Sequence, residues 1–172
     1  MSKRGWDDYF TSLCYFVAKK SKDPSTKFGA IIVGPDNEIR STGFNGLPRG
    51  IKETKERLTS PEKYGWIVHA ETNAIYNAAR MGLSVSGCRI YIQETPCPEC
   101  TKAIIQSGIK EIITHAAWQK TPHPKWDEAS AKSRQMLAEA GVKLRVFKDP
   151  ISLTVVAMKN GRFVGGGESV PT

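Results

Sequence analysis

Residues 88–114, CRIYIQETPCPECTKAIIQSGIKEIIT, decide the fold. The run 88–93 is rich in β-branched and aromatic side chains and reads as a strand. Pro98 stands where a first helical turn tolerates a missing N–H. The helix it opens runs to about Ser107, with Gly108 as its stop. Residues 110–114 return as a strand. Strand, helix and strand in succession are the unit of an α/β sheet with parallel neighbours.

The same alternation continues in both directions. C-terminally, a helix over 127–140 ends at Gly141 and a strand follows at 142–147. N-terminally, an alanine-rich helix covers about 70–81, and residues 46–65 read as a long polar loop of a length that is usually functional or mobile. Before it, strands at 28–33 and 38–44 are joined by Gly34-Pro35-Asp36-Asn37, a turn short enough to make them antiparallel. Residues 6–20 carry Phe10, Leu13, Cys14 and Val17 at helical spacing. Beyond residue 151, two β-rich runs around Asn160-Gly161 predict a hairpin over 152–165. Residues 1–150 are expected to form one domain and 151–172 an extension of it.

Composition narrows the class. The chain has 172 residues, 40% hydrophobic and 24% charged, the balance of a soluble globular protein. No apolar run approaches the roughly 20 residues that span a bilayer. The opening MSKRGWDDYF has no apolar core of a signal peptide, so the expected location is cytoplasmic. The net charge of +8 is spread along the chain without a block of like charges. Most of it reads as solvated surface, with room for a phosphate-bearing partner.

Of the four cysteines, Cys97 and Cys100 form a C-x-x-C. Upstream stands His69-Ala70-Glu71. In isolation a His-x-Glu means little, and a C-x-x-C serves metal binding, redox chemistry or neither. A redox pair leaves His69 and Glu71 unexplained. A closed structural zinc site needs a fourth ligand, and Cys14, Cys88, His115 and His123 offer no second paired spacing; both histidines read as structural or surface residues. Together, H-x-E and P-C-x-x-C make the signature of the zinc deaminases. One imidazole and two thiolates leave the fourth tetrahedral position of Zn²⁺ open, as catalytic sites require. Both ligand sets fall at predicted helix starts, where the helix dipole favours thiolates. Glu71 is then the proton shuttle of a hydrolytic deamination.

The chain resembles the deoxycytidylate (dCMP) deaminases of the cytidine deaminase-like superfamily. The likeness covers roughly residues 6–147. Its marks are WDDYF at 6–10, SKDPSTKFGA at 21–30, GFNGLPRG at 43–50, HAETNAI at 69–75, PCPEC at 96–100 and IIQSGIKE at 104–111. The resemblance implies a three-layer αβα fold with a mixed five-stranded sheet between helices. It implies zinc on His69, Cys97 and Cys100, and hydrolysis of dCMP to dUMP with release of ammonia. It further implies a homo-oligomer, usually a hexamer, with dCTP and dTTP as effectors accompanied by Mg²⁺. Asn45 matches the asparagine that holds the sugar. Lys22, Thr26, Arg49 and Arg134 are candidates for the phosphate, each equally readable as a surface side chain. Trp118 stands in for a tyrosine near the base or is a core residue. Residues 93–95 and 115–126 depart from the family's pattern beside the substrate. Another cytosine nucleotide or nucleoside (5-modified dCMP, dCTP, deoxycytidine), a tRNA or single-stranded base, and a zinc protein without turnover are the alternatives.

Overall fold

Seven strands and six helices make up the computed structural model, which describes residues 3–118, 124–151, 157–159 and 162–164. Helix α1 (Lys3–Ala18) leads into β1 (Gly29–Val33) and β2 (Ile39–Phe44). Asn37, at φ 65°, closes the turn between those strands, a conformation asparagine tolerates better than most residues. Short helices α2 (Lys55–Leu58) and α3 (Lys63–Trp66) precede α4 (Ala70–Arg80). There follow β3 (Arg89–Ile92), α5 (Pro98–Gln106), β4 (Glu111–His115), α6 (Pro124–Glu139) and β5 (Lys143–Phe147). A separate antiparallel pair, β6 (Ala157–Lys159) and β7 (Arg162–Val164), has the pairing of the expected hairpin; its turn, Asn160-Gly161, and the flanking residues lie outside the described ones.

The five-stranded sheet has the order β2-β1-β3-β4-β5. β1 pairs antiparallel with both β2 and β3, whereas β3, β4 and β5 run parallel. The sheet is therefore mixed, as the connections predict. Alternate residues serve its two faces. Ala30, Ile32, Ile90, Ile92 and Ile112 join Ala70, Ala74, Ala78, Ile104 and Leu137 in one cluster. Ile31, Val33, Tyr91, Ile113 and Phe147 join Phe10 and Cys14 of α1 in the other. Three layers result, with α1 on one side and α4, α5 and α6 on the other. No helix among the described residues is long and apolar enough to cross a membrane.

The polar loop expected over 46–65 is corrected by α2 and α3. Thr54 caps α2 by accepting from the Arg57 N–H, and Arg57 lies over the Trp66 ring, 4.2 Å from its centroid. Four-residue helices leave too little periodicity to be read from a polar sequence.

Helix α4 is seated on β2 by backbone contact. A Cβ on Gly43 would stand 2.3 Å from the Ala70 carbonyl oxygen and 2.4 Å from the Ala74 nitrogen. Asn73 and Asn77, one turn apart on α4, donate to the carbonyls of Phe44 (2.8 Å) and Thr42 (2.7 Å). Four residues of helix rise about 6 Å and two of strand about 6.8 Å, so the two ladders match. On the far face, Arg145 of β5 grips Asp7 of α1 through two bonds of 2.6 and 2.9 Å, and Tyr91 donates to the same carboxylate at 2.9 Å.

Gly43→Ala is expected to destabilise by about 2–3 kcal/mol, because backbone cannot yield as a side chain can. For a chain of this size that lowers the melting temperature by about 5–10 °C. Gly65→Ala, whose Cβ meets nothing within 4 Å, is the control and should melt like the parent.

Candidate metal centre and its cavity

His69 and Cys97 occupy equivalent places, each the N-cap of its helix with extended backbone. The chain enters α4 and α5 from the same end of the sheet, so the two caps meet. His69 Nδ1 lies 3.5 Å from Cys97 Sγ and 3.4 Å from Cys100 Sγ. All three donor atoms fall within 4.8 Å of one another.

These distances fit a metal. Tetrahedral zinc with Zn–S of about 2.3 Å and Zn–N of about 2.05 Å sets the nitrogen and sulfur about 3.6 Å apart. Both observed separations lie within about 0.2 Å of that. Thr72, in the first turn of α4, brings its hydroxyl 3.3 Å from Cys100 Sγ. It is within hydrogen-bond distance of the sulfur, and one hydroxyl beside a ligand motif carries no signal of its own in the sequence.

The electrostatics suit a cation. The hydrogen bond from Cys100 is the main reason that the Cys97 thiol is held down to about 4; burial opposes this and the His69 contact reinforces it. Cys100 moves up, because its proton is shared with Cys97 and its sulfur is buried. His69 is raised chiefly by its hydrogen bond with Cys97, with burial working the other way. Glu71 is buried, and burial pushes its carboxyl above the ordinary range despite the pull of its own backbone N–H and of His69. A carboxyl displaced in that direction is a stronger base than an exposed one.

Beside the triad opens a cavity of about 570 Å³, which His69, Glu71 and Cys97 line together with Asn45, Thr26, Phe28 and Trp118. That is room for a nucleotide-sized ligand. Trp118 stands edge-on to Phe28 at 4.9 Å between ring centroids. Asn45 is buried; its Oδ1 accepts from the Phe28 N–H (2.8 Å) and its Nδ2 donates to the Thr26 carbonyl (2.9 Å). Gly46 and Val68 exchange two backbone hydrogen bonds. That bridge sets Asn45 and His69, one residue to either side of it, against each other.

Not every candidate residue comes to this cavity. Lys22 is exposed and pairs with Glu53 at 2.5 Å. Arg49 donates to Asn77 on the outer side of α4, and Arg134 is exposed on α6. None of the three is in the cavity wall. The wall instead contains Lys63, inside the segment taken for a polar loop. Its ammonium reaches both carboxylate oxygens of Asp23, at 2.9 and 3.1 Å. A buried ion pair 40 residues apart in sequence leaves no local pattern to find. His115 is buried and bonded to Tyr15 at 2.8 Å, a structural histidine as expected, while His123 lies outside the described residues.

The sequence profile described as the cytidine and deoxycytidylate deaminase zinc-binding region matches residues 4–116. The chain belongs to this family. Among its relatives, the deoxycytidylate deaminase of Homo sapiens is 38% identical over 157 residues, covering 88% of this chain and 84% of that protein. The deoxycytidylate deaminase of Pongo abelii is 37% identical over 159 residues, with the same coverage. The crystal structure of dCMP deaminase from the cyanophage S-TIM5 in complex with dCMP and dUMP superposes with a TM-score of 0.67 at 25% identity. It covers 86% of this chain and 99% of that one. The mixed five-stranded sheet flanked by helices is thus the cytidine deaminase-like fold.

Asp23 gives the cavity wall a pH dependence. Burial works against its ionisation, but the Lys63 ammonium and donors from Ser25 and Thr26 outweigh that and hold it below its ordinary 3.8. A depressed carboxylate contributes stability that is fully present above the unfolded value and is lost as pH falls through the folded one. Asp23→Asn leaves Lys63 unpaired and is expected to cost about 3 kcal/mol near neutrality. In denaturant titrations the gap between the two proteins should narrow as the pH falls below about 4.

Proposed function

We propose that the chain is a zinc-dependent deaminase that converts dCMP to dUMP with release of ammonia. The observation that carries the reading is a buried carboxyl, Glu71, beside a His/Cys/Cys triad spaced for zinc at the wall of a nucleotide-sized cavity. The named relatives support dCMP as the substrate.

His69, Cys97 and Cys100 would hold the ion. Zinc there would supply Lewis acidity, of the kind that lowers the pKa of bound water to about 7. Glu71, two residues from His69 but outside the ligand set, takes the proton that water gives up. It passes that proton to the ring nitrogen N3 as oxygen adds to C4, then takes the second proton from the hydroxyl on C4 and delivers it to the amino group as the carbonyl forms and the C4–N bond breaks. The burial that raises its carboxyl makes it the stronger base for taking that proton. Asn45 faces the sugar with the amide that Phe28 and Thr26 have oriented. Trp118 and Phe28 offer the base an apolar wall.

The resemblance extends the proposal to a homo-oligomer responsive to dCTP and dTTP. Light scattering should give a mass of several chains, and dCTP with Mg²⁺ should change the rate. A monomer that turns over dCMP at a rate indifferent to both nucleotides overturns that extension.

The decisive experiment measures ammonia release by the zinc-loaded protein from dCMP, CMP, deoxycytidine, dCTP, 5-methyl-dCMP and a tRNA stem-loop. The expected substrate is dCMP. Turnover of another member and not of dCMP overturns the assignment. Glu71→Gln should lose about 10²–10⁴-fold in kcat while keeping one zinc per chain by atomic absorption. Cys97→Ser should lose both zinc and activity.

A further inference from the structure

Lys63 is nine-tenths buried, and it lines the cavity without facing an empty acceptor. Its ammonium bonds both oxygens of Asp23, at 2.9 and 3.1 Å, and the Ser25 hydroxyl at 2.5 Å. Three contacts use the three donors an ammonium has. Asp23 is the hub of the same cluster. Its Oδ1 also accepts from the Ser25 N–H (2.8 Å), the Ser25 hydroxyl (2.9 Å) and the Thr26 N–H (3.1 Å). Its Oδ2 lies 3.5 Å from Asn45 Nδ2, the amide nitrogen that donates to Thr26 O. A continuous polar chain therefore leads from Lys63 through Asp23 and Thr26 to Asn45.

The same lysine also belongs to the segment that enters the metal centre. The Ile67 N–H donates to the Lys63 carbonyl at 2.9 Å, and the next residue, Val68, is bridged to Gly46. His69 follows directly. Lys63 thus clasps the 23–26 turn to the strand of chain that delivers His69.

We infer that Lys63 is a positioning residue: through Asp23 it sets the Thr26–Asn45 wall against the metal centre, and it does not itself bind the substrate's phosphate. The inference rests on the deaminase reading for its kinetic readout. A phosphate ligand would have to draw the ammonium off Asp23 and leave a buried carboxylate uncompensated, which is unfavourable. A positioning residue acts on ligand affinity through geometry, and small displacements there are costly.

The test uses the full chain loaded with zinc and the variant Lys63→Met. KM for dCMP should rise about tenfold with kcat within about twofold and zinc still at one per chain. The inhibition constants of dUMP and of deoxyuridine should rise by the same factor, and Lys63→Arg should recover most of the loss. If dUMP weakens and deoxyuridine does not, Lys63 is a phosphate ligand and the inference fails. Unchanged constants, or a fall in kcat with loss of zinc, also overturn it. If Lys63→Met does not fold, the double variant Asp23→Asn/Lys63→Met removes both buried charges and should show the same rise in KM. The side-chain amide signals of Asn45 in ¹H–¹⁵N spectra supply a readout free of turnover. They should shift and exchange faster in the variant, and unaltered signals refute the clasp. A parent protein that deaminates no cytosine nucleotide refutes the deaminase reading instead, and the Asn45 signals then decide the clasp alone.

Discussion

Two helices must start within one coordination shell of each other, and much of this molecule serves that requirement. His69 and Cys97 are N-caps of α4 and α5, and their donor atoms stand 3.5 Å apart. Caps are the frayed ends of helices, with unpaired N–H groups and few constraints of their own. Precision at such a place has to be imported. Gly43 supplies part of it by letting β2 touch the backbone of α4. Apolar packing of Ala70, Ala74 and Ile104 against the sheet supplies more. The bridge between Gly46 and Val68 fixes the residue before His69.

Charge is distributed with the same economy. Helix starts favour negative groups, and the pair at α5 keeps one thiol ionised beside an imidazole that is drawn towards its charged form. In contrast, Glu71 at the start of α4 is driven towards neutrality, because burial outweighs the local attraction. Neighbouring groups with opposite tendencies are what a site needs if one of them is to hold a cation and another to carry a proton. The Arg145–Asp7 pair on the far side of the sheet is a different case: it shares its carboxylate with Tyr91 and anchors α1 well away from the cavity.

Periodicity and caps made the sheet legible. Ile31 and Ile32 point to opposite faces, as alternation requires, and Pro98 opens α5 where the missing N–H is harmless. The triad was legible because ligand chemistry demands particular residue types at short spacing. Lys63 was not: its meaning lies in Asp23, and a contact closed by the fold has no local signature. Arg49 and Lys22 show the converse. Both were phosphate candidates, and the fold sets them against Asn77 and Glu53 outside the cavity wall. Thr26 and Asn45 were candidates by resemblance to a pattern, whereas their mutual hydrogen bond emerged only from the folded chain.

The two asparagines of α4 have a consequence for assembly. β2 is the last strand of its sheet on one side, and such a border exposes a row of free acceptors that can template another strand. The bond from the Asn45 N–H to Phe28 O sets the parity of pairing with β1, so the carbonyls of Thr42 and Phe44 face away from the sheet. Asn73 and Asn77 occupy both. Growth of the sheet past β2 would therefore have to displace two side chains of the helix that carries Glu71.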